Sequence, residues 1–342
     1  MNTIKDLRVV FPSDADTIGG PGTFQILMTR CLRDAGAIVL PNGSGEEADL
    51  LFVIGGTRKL RWIKKHKQKG AKVLQRLDGI RWRHWIVKAP FKYKILCMIQ
   101  NRITSYIRSN LADAVVYQSE FVQIWWDKCF GKISKMENVI TNGTDLSLFC
   151  PKKENKSNPL PILICVEGNI ELYQPTKLLL SKLHESLVIG RVIGEIRLWG
   201  NALPKDVDYF RDLKGICFMG RCKRELVPEI MRDGDIFLSL DVNAACPNSV
   251  IEAMACGLPV VGYDTGGLRE LVPASIGGLA DYGSNPWKLE IPHIVSLIDA
   301  TRKVASNLSE NKQVARAYAK KNFGAEILKK NYLSAINQLF KN

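Results

Sequence analysis

Short runs of apolar, often β-branched residues alternate along the chain with longer stretches whose apolar positions repeat every three to four residues. This alternation predicts βαβ units, and therefore parallel sheets covered by helices. Helical spacing across Phe24–Leu32 predicts a helix that Gly36 can end. The first half thus reads as one doubly wound domain, with strands predicted at Leu7–Phe11, Ala37–Leu40, Leu50–Ile54, Lys72–Leu77 and Ala114–Gln118.

The stretch 149–161 combines prolines, charges and small polar residues without an apolar period, which is typical of a linker. Alternation then restarts, and the last residues, from about Glu310, predict two helices. We therefore expect a first domain at 1–150, a second at 151–325, and a C-terminal helix at 326–342 near the first domain. The strands predicted in the second half are Ile162–Val166, Glu195–Trp199, Gly215–Met219, Asp235–Leu240 and Pro259–Tyr263.

Composition and length support two globular domains. The chain has 342 residues, of which 46% are hydrophobic and 24% charged, unlike a disordered chain. It lacks a secretory pattern at its start and any apolar run near the ~20 residues that span a bilayer. Its nine cysteines include no C-x-x-C pair and predict reduced thiols. We expect a cytoplasmic protein, at most peripheral at the inner face of the membrane.

Positive charge is concentrated in one part of the chain. The net charge is +14, and residues 57–108 contain sixteen Lys or Arg but a single acid, Asp78. A local excess of this kind indicates a surface for phosphate-bearing partners, whether anionic lipid, nucleic acid or a diphosphate substrate.

Two segments have the character of ligand-binding loops. The first is a glycine-rich turn, Asp14–Phe24, where Gly20 and Gly22 could admit a phosphate at a helix start, although a plain turn fits equally well. The second places Asn248, Ser249 and Val250 at another helix N-terminus, suited to a diphosphate.

Glu252, one turn further on, can accept hydrogen bonds from two ribose hydroxyls. The spacing Ser249-x-x-Glu252 is equally that of a capping box, in which both side chains only satisfy backbone N–H groups.

The run PNSVIEAMACGLPVVGYDTGGLRE, 247–270, resembles the donor-binding signature of the retaining GT-B enzymes called glycosyl transferases group 1. Segments 115–122, 140–151, 218–221 and 234–240 resemble other parts of that family. The resemblance implies an α/β GT-B fold of two doubly wound, Rossmann-like domains facing a central cleft. It also implies sugar transfer with retained anomeric configuration, without a metal or cofactor, the nucleotide-sugar being a substrate.

The resemblance also implies residue roles. Glu252 would bind the ribose, and the loop from Pro247 to Val250 would bind the diphosphate. Gly220 and Arg221 would lie beside the base, and Gly20 and Gly22 would face the donor phosphate. Three features depart from the family: Ala244 replaces an acid eight residues before Glu252, Asn169 replaces an Arg, and the Lys usually found about five residues after that Arg is here Lys177, eight residues on. The expected donor set is Gly20, Gly22, Asn169, Lys177, Gly220, Arg221, Pro247, Asn248, Ser249, Val250 and Glu252.

The basic segment supplies the expected acceptor side: Arg76, Asp78, Arg81 and His84, with Asp78 and Glu252 as candidate catalytic residues. A structural ion pair of Asp78 with Arg76 or Arg81 is the alternative, and His84 between tryptophans is more often packing.

Apolar residues across Phe91–Arg108 recur at helical spacing, with bases at the positions between them. The pattern predicts either a helix at an anionic membrane interface or an ordinary helix whose apolar stripe packs on the sheet.

These observations predict an enzyme that moves a sugar from a nucleotide-sugar to a glycan or lipid-linked acceptor, in cell-envelope polysaccharide or glycolipid synthesis. Ala244 and Asn169 motivate one alternative, a non-catalytic subunit that binds sugar nucleotides. Trp62, Trp82 and Trp85 among the bases motivate another, a nucleic-acid-binding protein. The chain has no recognised module for nucleic acid, so we do not expect that partner.

Overall fold

The computed structural model describes residues 4–14, 20–152, 159–170, 172–275 and 277–341. The chain divides into two compact units, Met1–Asn142 with Ala325–Asn342, and Gly143–Gly324.

The boundary of the first unit falls before the expected position at 150. The Thr144 amide donates to the Phe323 carbonyl at 2.8 Å, and Arg316 donates to the Leu146 and Phe149 carbonyls. These bonds attach residues 144–149 to the helix that precedes Gly324, so this segment joins the second unit. Residues 153–158 of the expected linker lie outside the described residues.

The first unit is built on six parallel strands in the order β2-β1-β3-β4-β5-β6. The chain reverses its direction of travel across the sheet between β1 and β3. The strands are β1 Arg8–Val10, β2 Ile38–Val39, β3 Leu50–Ile54, β4 Lys72–Leu77, β5 Ala114–Tyr117 and β6 Met136–Val139. The helices are α1 Gly20–Asp34, α2 Leu60–Gln68, α3 Phe91–Tyr106 and α4 Glu120–Phe130.

Helices on both faces explain why the central strands read as continuous apolar runs. All of Leu50–Val53 is buried. On one face, Phe24 of α1 and Phe52 of β3 lie with ring centroids 6.0 Å apart, and both contact Tyr332 near the C-terminus. The core of this unit is therefore closed by the end of the chain.

The second unit also has six parallel strands, in the order β12-β11-β10-β7-β8-β9. The reversal lies between β7 and β10, as in doubly wound nucleotide-binding sheets. The strands are β7 Ile162–Asn169, β8 Glu195–Asn201, β9 Ile216–Gly220, β10 Ile236–Ser239, β11 Val260–Tyr263 and β12 Gly277–Ala280. The helices are α5 Gln174–Leu183, α6 Pro204–Tyr209, α7 Val227–Arg232, α8 Asn248–Ala255, α9 Leu268–Leu271, α10 Ile294–Ser306 and α11 Leu308–Asn322.

The two helices expected at the end of the chain are α11 and α12, Ala325–Lys341. The helix α12 belongs to the first unit and packs against α1. Within the described ranges, no helix is both long and apolar enough to cross a membrane.

Candidate functional site

In doubly wound sheets, ligands bind beyond the carboxyl ends of the strands where the strand order reverses. In the second unit this point lies between β7 and β10. The chain leaves β10, loops back, and enters α8 after Pro247, whose side chain provides no cap. The first N–H groups of α8 have no partner within the helix and carry partial positive charge. The Ser249 hydroxyl lies 3.3 Å from Glu167 Oε1 of β7, which ties α8 to the neighbouring strand.

Glu252 is buried in the first turns of α8, with its side chain 4% exposed. Arg224 donates to both carboxylate oxygens, from Nη1 to Oε2 at 2.7 Å and from Nη2 to Oε1. The capping-box interpretation is wrong, because α8 begins at Asn248 and Glu252 contacts Arg224 instead of the backbone. Burial raises the pKa of the Glu252 carboxyl, and Arg224 offsets part of this rise.

A tight turn after β11 supports the loop that leads to α8. The Gly267 amide donates to the Ala244 carbonyl at 2.8 Å, and the Thr265 hydroxyl accepts from the Asn243 amide at 3.2 Å. Gly266 has φ +62° and no room for a side chain. Ala244, which stands at the position of a family acid, is therefore buried against this turn.

Four further donor residues lie at or beyond the carboxyl ends of β7 and β9. Gly220 ends β9 with φ +72° in open space, and Arg221 follows it on the surface. Asn169 ends β7 and accepts from the Asn201 side chain at 3.3 Å. Lys177 of α5 forms an ion pair with Asp206 at 2.6 Å, so its charge is directed to α6.

In the first unit, Asp78 and Arg81 line a pocket of about 440 Å³ at the carboxyl ends of β3 and β4. The Trp126 indole donates to the Asp78 carbonyl at 2.8 Å. The Asn101 side chain accepts from the Arg81 amide and donates to the Arg81 carbonyl. Asp78 forms no ion pair with another described residue. The pocket also includes Gly55, Gly56, Thr57, Arg58, Gln100 and Thr104.

Arg76 and His84 are buried and do not line this pocket. The Arg76 guanidinium lies 3.9 Å from the centroid of the Phe24 ring and donates to Asn142 Oδ1 at 2.8 Å. Burial, followed by the nearby Lys94 and Arg81, lowers the pKa of His84. His84 packs against Trp85, with ring centroids 4.9 Å apart.

Gly20 is the first residue of α1 and Gly22 is buried in its first turn. The rest of the glycine-rich turn, residues 15–19, lies outside the described residues.

Sequence reasoning missed Arg224 and Glu167, the contacts of Glu252 and Ser249. A signal for Arg224 exists, since it belongs to the basic run Arg221–Arg224 directly after a strand end. Among the described residues, no group of three or more His, Cys, Asp or Glu side chains could hold a metal ion.

Residues 168–287, which contain α8, Glu252 and Arg224, match the sequence model of the family described as "Glycosyl transferases group 1". The chain is a glycosyltransferase. Among curated proteins, none matches it.

Solved structures resemble this glycosyltransferase over nearly its whole length. Sucrose-phosphate synthase of Thermosynechococcus elongatus has a TM-score of 0.74 and 16% identity, covering 98% of this chain and 99% of its own. A glycosyltransferase of Rickettsia africae has a TM-score of 0.69 and 15% identity, and the match covers 98% of this chain and 99% of that protein. HepE of Anabaena, in complex with UDP-glucose, has a TM-score of 0.70 and 16% identity, and the match covers 97% of this chain and 100% of that protein. At these identities the likeness shows the fold, and the prediction of a GT-B fold is confirmed.

Proposed function

We propose that this glycosyltransferase takes its sugar from a nucleotide-sugar donor held by the second unit. The observation that carries the proposal is the buried Glu252 carboxylate, one turn beyond the N–H groups at the start of α8. A diphosphate fits those N–H groups, and a carboxylate accepts hydrogen bonds from ribose hydroxyls. Both lie where the strand order of the sheet reverses.

Transfer with retained configuration and without a metal is part of the proposal. The leaving diphosphate would be stabilised by the helix dipole of α8 and by Arg221, which needs no ion. Support comes from the match of residues 168–287 to the glycosyl transferases group 1 family. Asp78, in the polar pocket of the first unit, is the proposed acceptor-side group.

Nucleotide binding tests the donor site directly. UDP, GDP, ADP and TDP sugars are screened by thermal shift, since a ligand at 100 times its Kd adds about 2.7 kcal/mol of stability. UDP and 2′-deoxy-UDP are then compared by calorimetry, and weaker binding of the deoxy form is expected if ribose is recognised. Donor binding without transfer or hydrolysis would favour a non-catalytic subunit, and no binding to any nucleotide would refute the proposal.

The acceptor side of the proposal is a lipid-linked acceptor reached at an anionic membrane, in envelope polysaccharide or glycolipid synthesis. Its support is α3, in which Cys97 alone is buried. Phe91, Ile95 and Ile99, which share one face, are 76%, 39% and 45% exposed. The exposure of these three side chains argues against the alternative in which the apolar stripe packs on the sheet, although Ile107 at its end is buried.

The bases beside this face suit anionic head groups. Lys88, Lys92 and Arg102 are exposed, and each contributes about 1 kcal/mol near an anionic surface. Other bases of the segment are engaged elsewhere: Arg108 is buried against Asp127, and Lys67 binds Asp113 at 2.6 Å. The exposed bases of α3 and of the residues just before it therefore lie beside the apolar face.

The same helix links the surface to the pocket. Gln100, Asn101 and Thr104 of α3 line the pocket that contains Asp78. A lipid whose head group enters this pocket would keep its acyl chains beside the apolar face of α3. Soluble glycans have no such need for an exposed apolar helix.

Liposome sedimentation tests the membrane proposal. Vesicles containing phosphatidylglycerol should capture the protein more than neutral vesicles, with release as salt shortens the Debye length to a few ångströms. Replacing Phe91, Ile95 and Ile99 with Ser should abolish capture while leaving UDP binding unchanged. The matched control is Ile124→Ser, since Ile124 is 65% exposed on a different helix, α4. Equal capture by both vesicle types, or none, would return α3 to an ordinary exposed helix.

A further inference from the structure

Arg224 reaches Glu252 from a different part of the sheet. It opens a short 3₁₀ turn after β9, whereas Glu252 lies in α8, 28 residues further along the chain. The side chain of Glu252 is 4% exposed and that of Arg224 is 40% exposed. Arg224 therefore enters from the solvent side, and its two-pronged contact defines the plane of a buried carboxylate.

Arg224 is itself held by an aromatic ring. Its guanidinium lies 5.2 Å from the ring centroid of Phe149, which is buried. The Phe149 carbonyl accepts from Arg316 Nη1 at 2.8 Å, so the ring belongs to a fixed segment. A planar guanidinium can stack on such a ring while it donates to a carboxylate at its edge, which a lysine ammonium cannot reproduce.

Arg224 is also the cation that acts on Glu252. The strands β10 and β11, which pack against α8, carry no charged side chain. Arg232 of α7 and Arg316 of α11 act on Cys256, one turn further along the chain, and so does Glu252. Cys222 and Glu225 act on Arg224 itself. Burial opposes ionisation of Glu252, and Arg224 favours it.

We infer that Arg224 is a positioning residue that keeps the Glu252 carboxylate ionised and oriented for the ribose of the donor. A carboxylate has about four acceptor sites, of which Arg224 takes two, so two remain for hydroxyl groups. This role rests on the proposed function of Glu252. Arg224 needs no contact with the donor to fulfil it.

The test compares Arg224→Met, Arg224→Lys and the control Lys223→Met, an exposed neighbour in the same turn. The first measurement is the affinity for UDP from about pH 5 to about pH 8. Loss of an opposite charge at this range shifts a carboxyl pKa by about 1–3 units. As the pH is lowered, Arg224→Met should therefore lose UDP binding at a pH that is higher than for the parent by about that amount. Arg224→Lys should fall between it and the parent, and Lys223→Met should match the parent.

A second measurement needs no donor. The Glu252 carboxyl is titrated by NMR of protein with ¹³C-labelled glutamate, assigned by its loss in Glu252→Gln. An upward shift of its pKa in Arg224→Met, with an unchanged Lys223→Met, supports the inference even if the parent binds no nucleotide and the proposed function fails. An unchanged pKa in a folded Arg224→Met would overturn it, as would equal shifts in both variants.

Discussion

The turn at Gly266 is the part of the candidate donor site whose perturbation can be calculated most directly. Gly266 has φ +62°, and a Cβ there would lie 2.5 Å from the Ala244 oxygen and 2.6 Å from the Asn243 carbonyl carbon. Both are backbone atoms, which cannot rotate away as a side chain could. Gly266→Ala must therefore displace the loop that leads to α8.

The expected cost has two parts. A Cβ in the left-handed region costs about 1–2 kcal/mol, and overpacking against fixed atoms adds about 1–3 kcal/mol. Together these predict a loss of about 2–5 kcal/mol in the free energy of unfolding. Gly220 provides the matched control, because its φ is +72° but a Cβ would meet nothing within 4 Å. Gly220→Ala should lose only the first part, about 1–2 kcal/mol.

Urea denaturation of the parent and both variants measures this difference, and calorimetry with UDP reports whether the start of α8 has moved. Gly266→Ala should unfold at clearly lower urea than Gly220→Ala. Equal midpoints for the two variants would refute the reasoning, because only the clash with Ala244 and Asn243 separates them.

Three further results are expected. Glu252→Gln should weaken UDP binding at least tenfold, since a hydrogen bond to a charged group contributes about 1.5–3 kcal/mol. The same variant should show a smaller preference for UDP over 2′-deoxy-UDP, measured by calorimetry. Arg108→Met should cost about 3–5 kcal/mol in urea denaturation by leaving Asp127 without its buried partner, whereas exposed Arg102→Met should cost almost nothing. Because burial raises the folded-state pKa of Glu252, the contribution of this residue to the free energy of unfolding is largest at low pH and is lost as pH rises through that pKa. The melting temperature of Arg224→Met should therefore fall more steeply than that of the parent from about pH 5 upward.

Strands that lie inside the sheets were predictable from the sequence, and β3 and β4 have the predicted bounds. Burial on both faces makes their sequences continuously apolar, which is a local signal. Two edge strands were missed. Met136–Val139 is largely half-buried and polar at two positions, and Gly277–Ala280 lacks β-branched residues. Neither sequence carries the apolar pattern that identifies a strand.

The class of enzyme could also be predicted from the sequence, through the run of residues around Glu252. The contact of Glu252 with Arg224 was not predictable, because α7 and β10 lie between the two residues in the chain and only the packed fold brings their side chains together. The same holds for Arg76 and Asp78, two residues apart: alternation along β4 buries the first against Phe24, while the second follows the strand end and lines a pocket. The sequence by itself determined the inner strands, several helices and the resemblance to a family, since periodicity and motifs arise from residues close together in the chain. Only the tertiary structure decided which charges are paired, which are buried, and that α3 turns its apolar face outward, because those outcomes depend on contacts between distant segments.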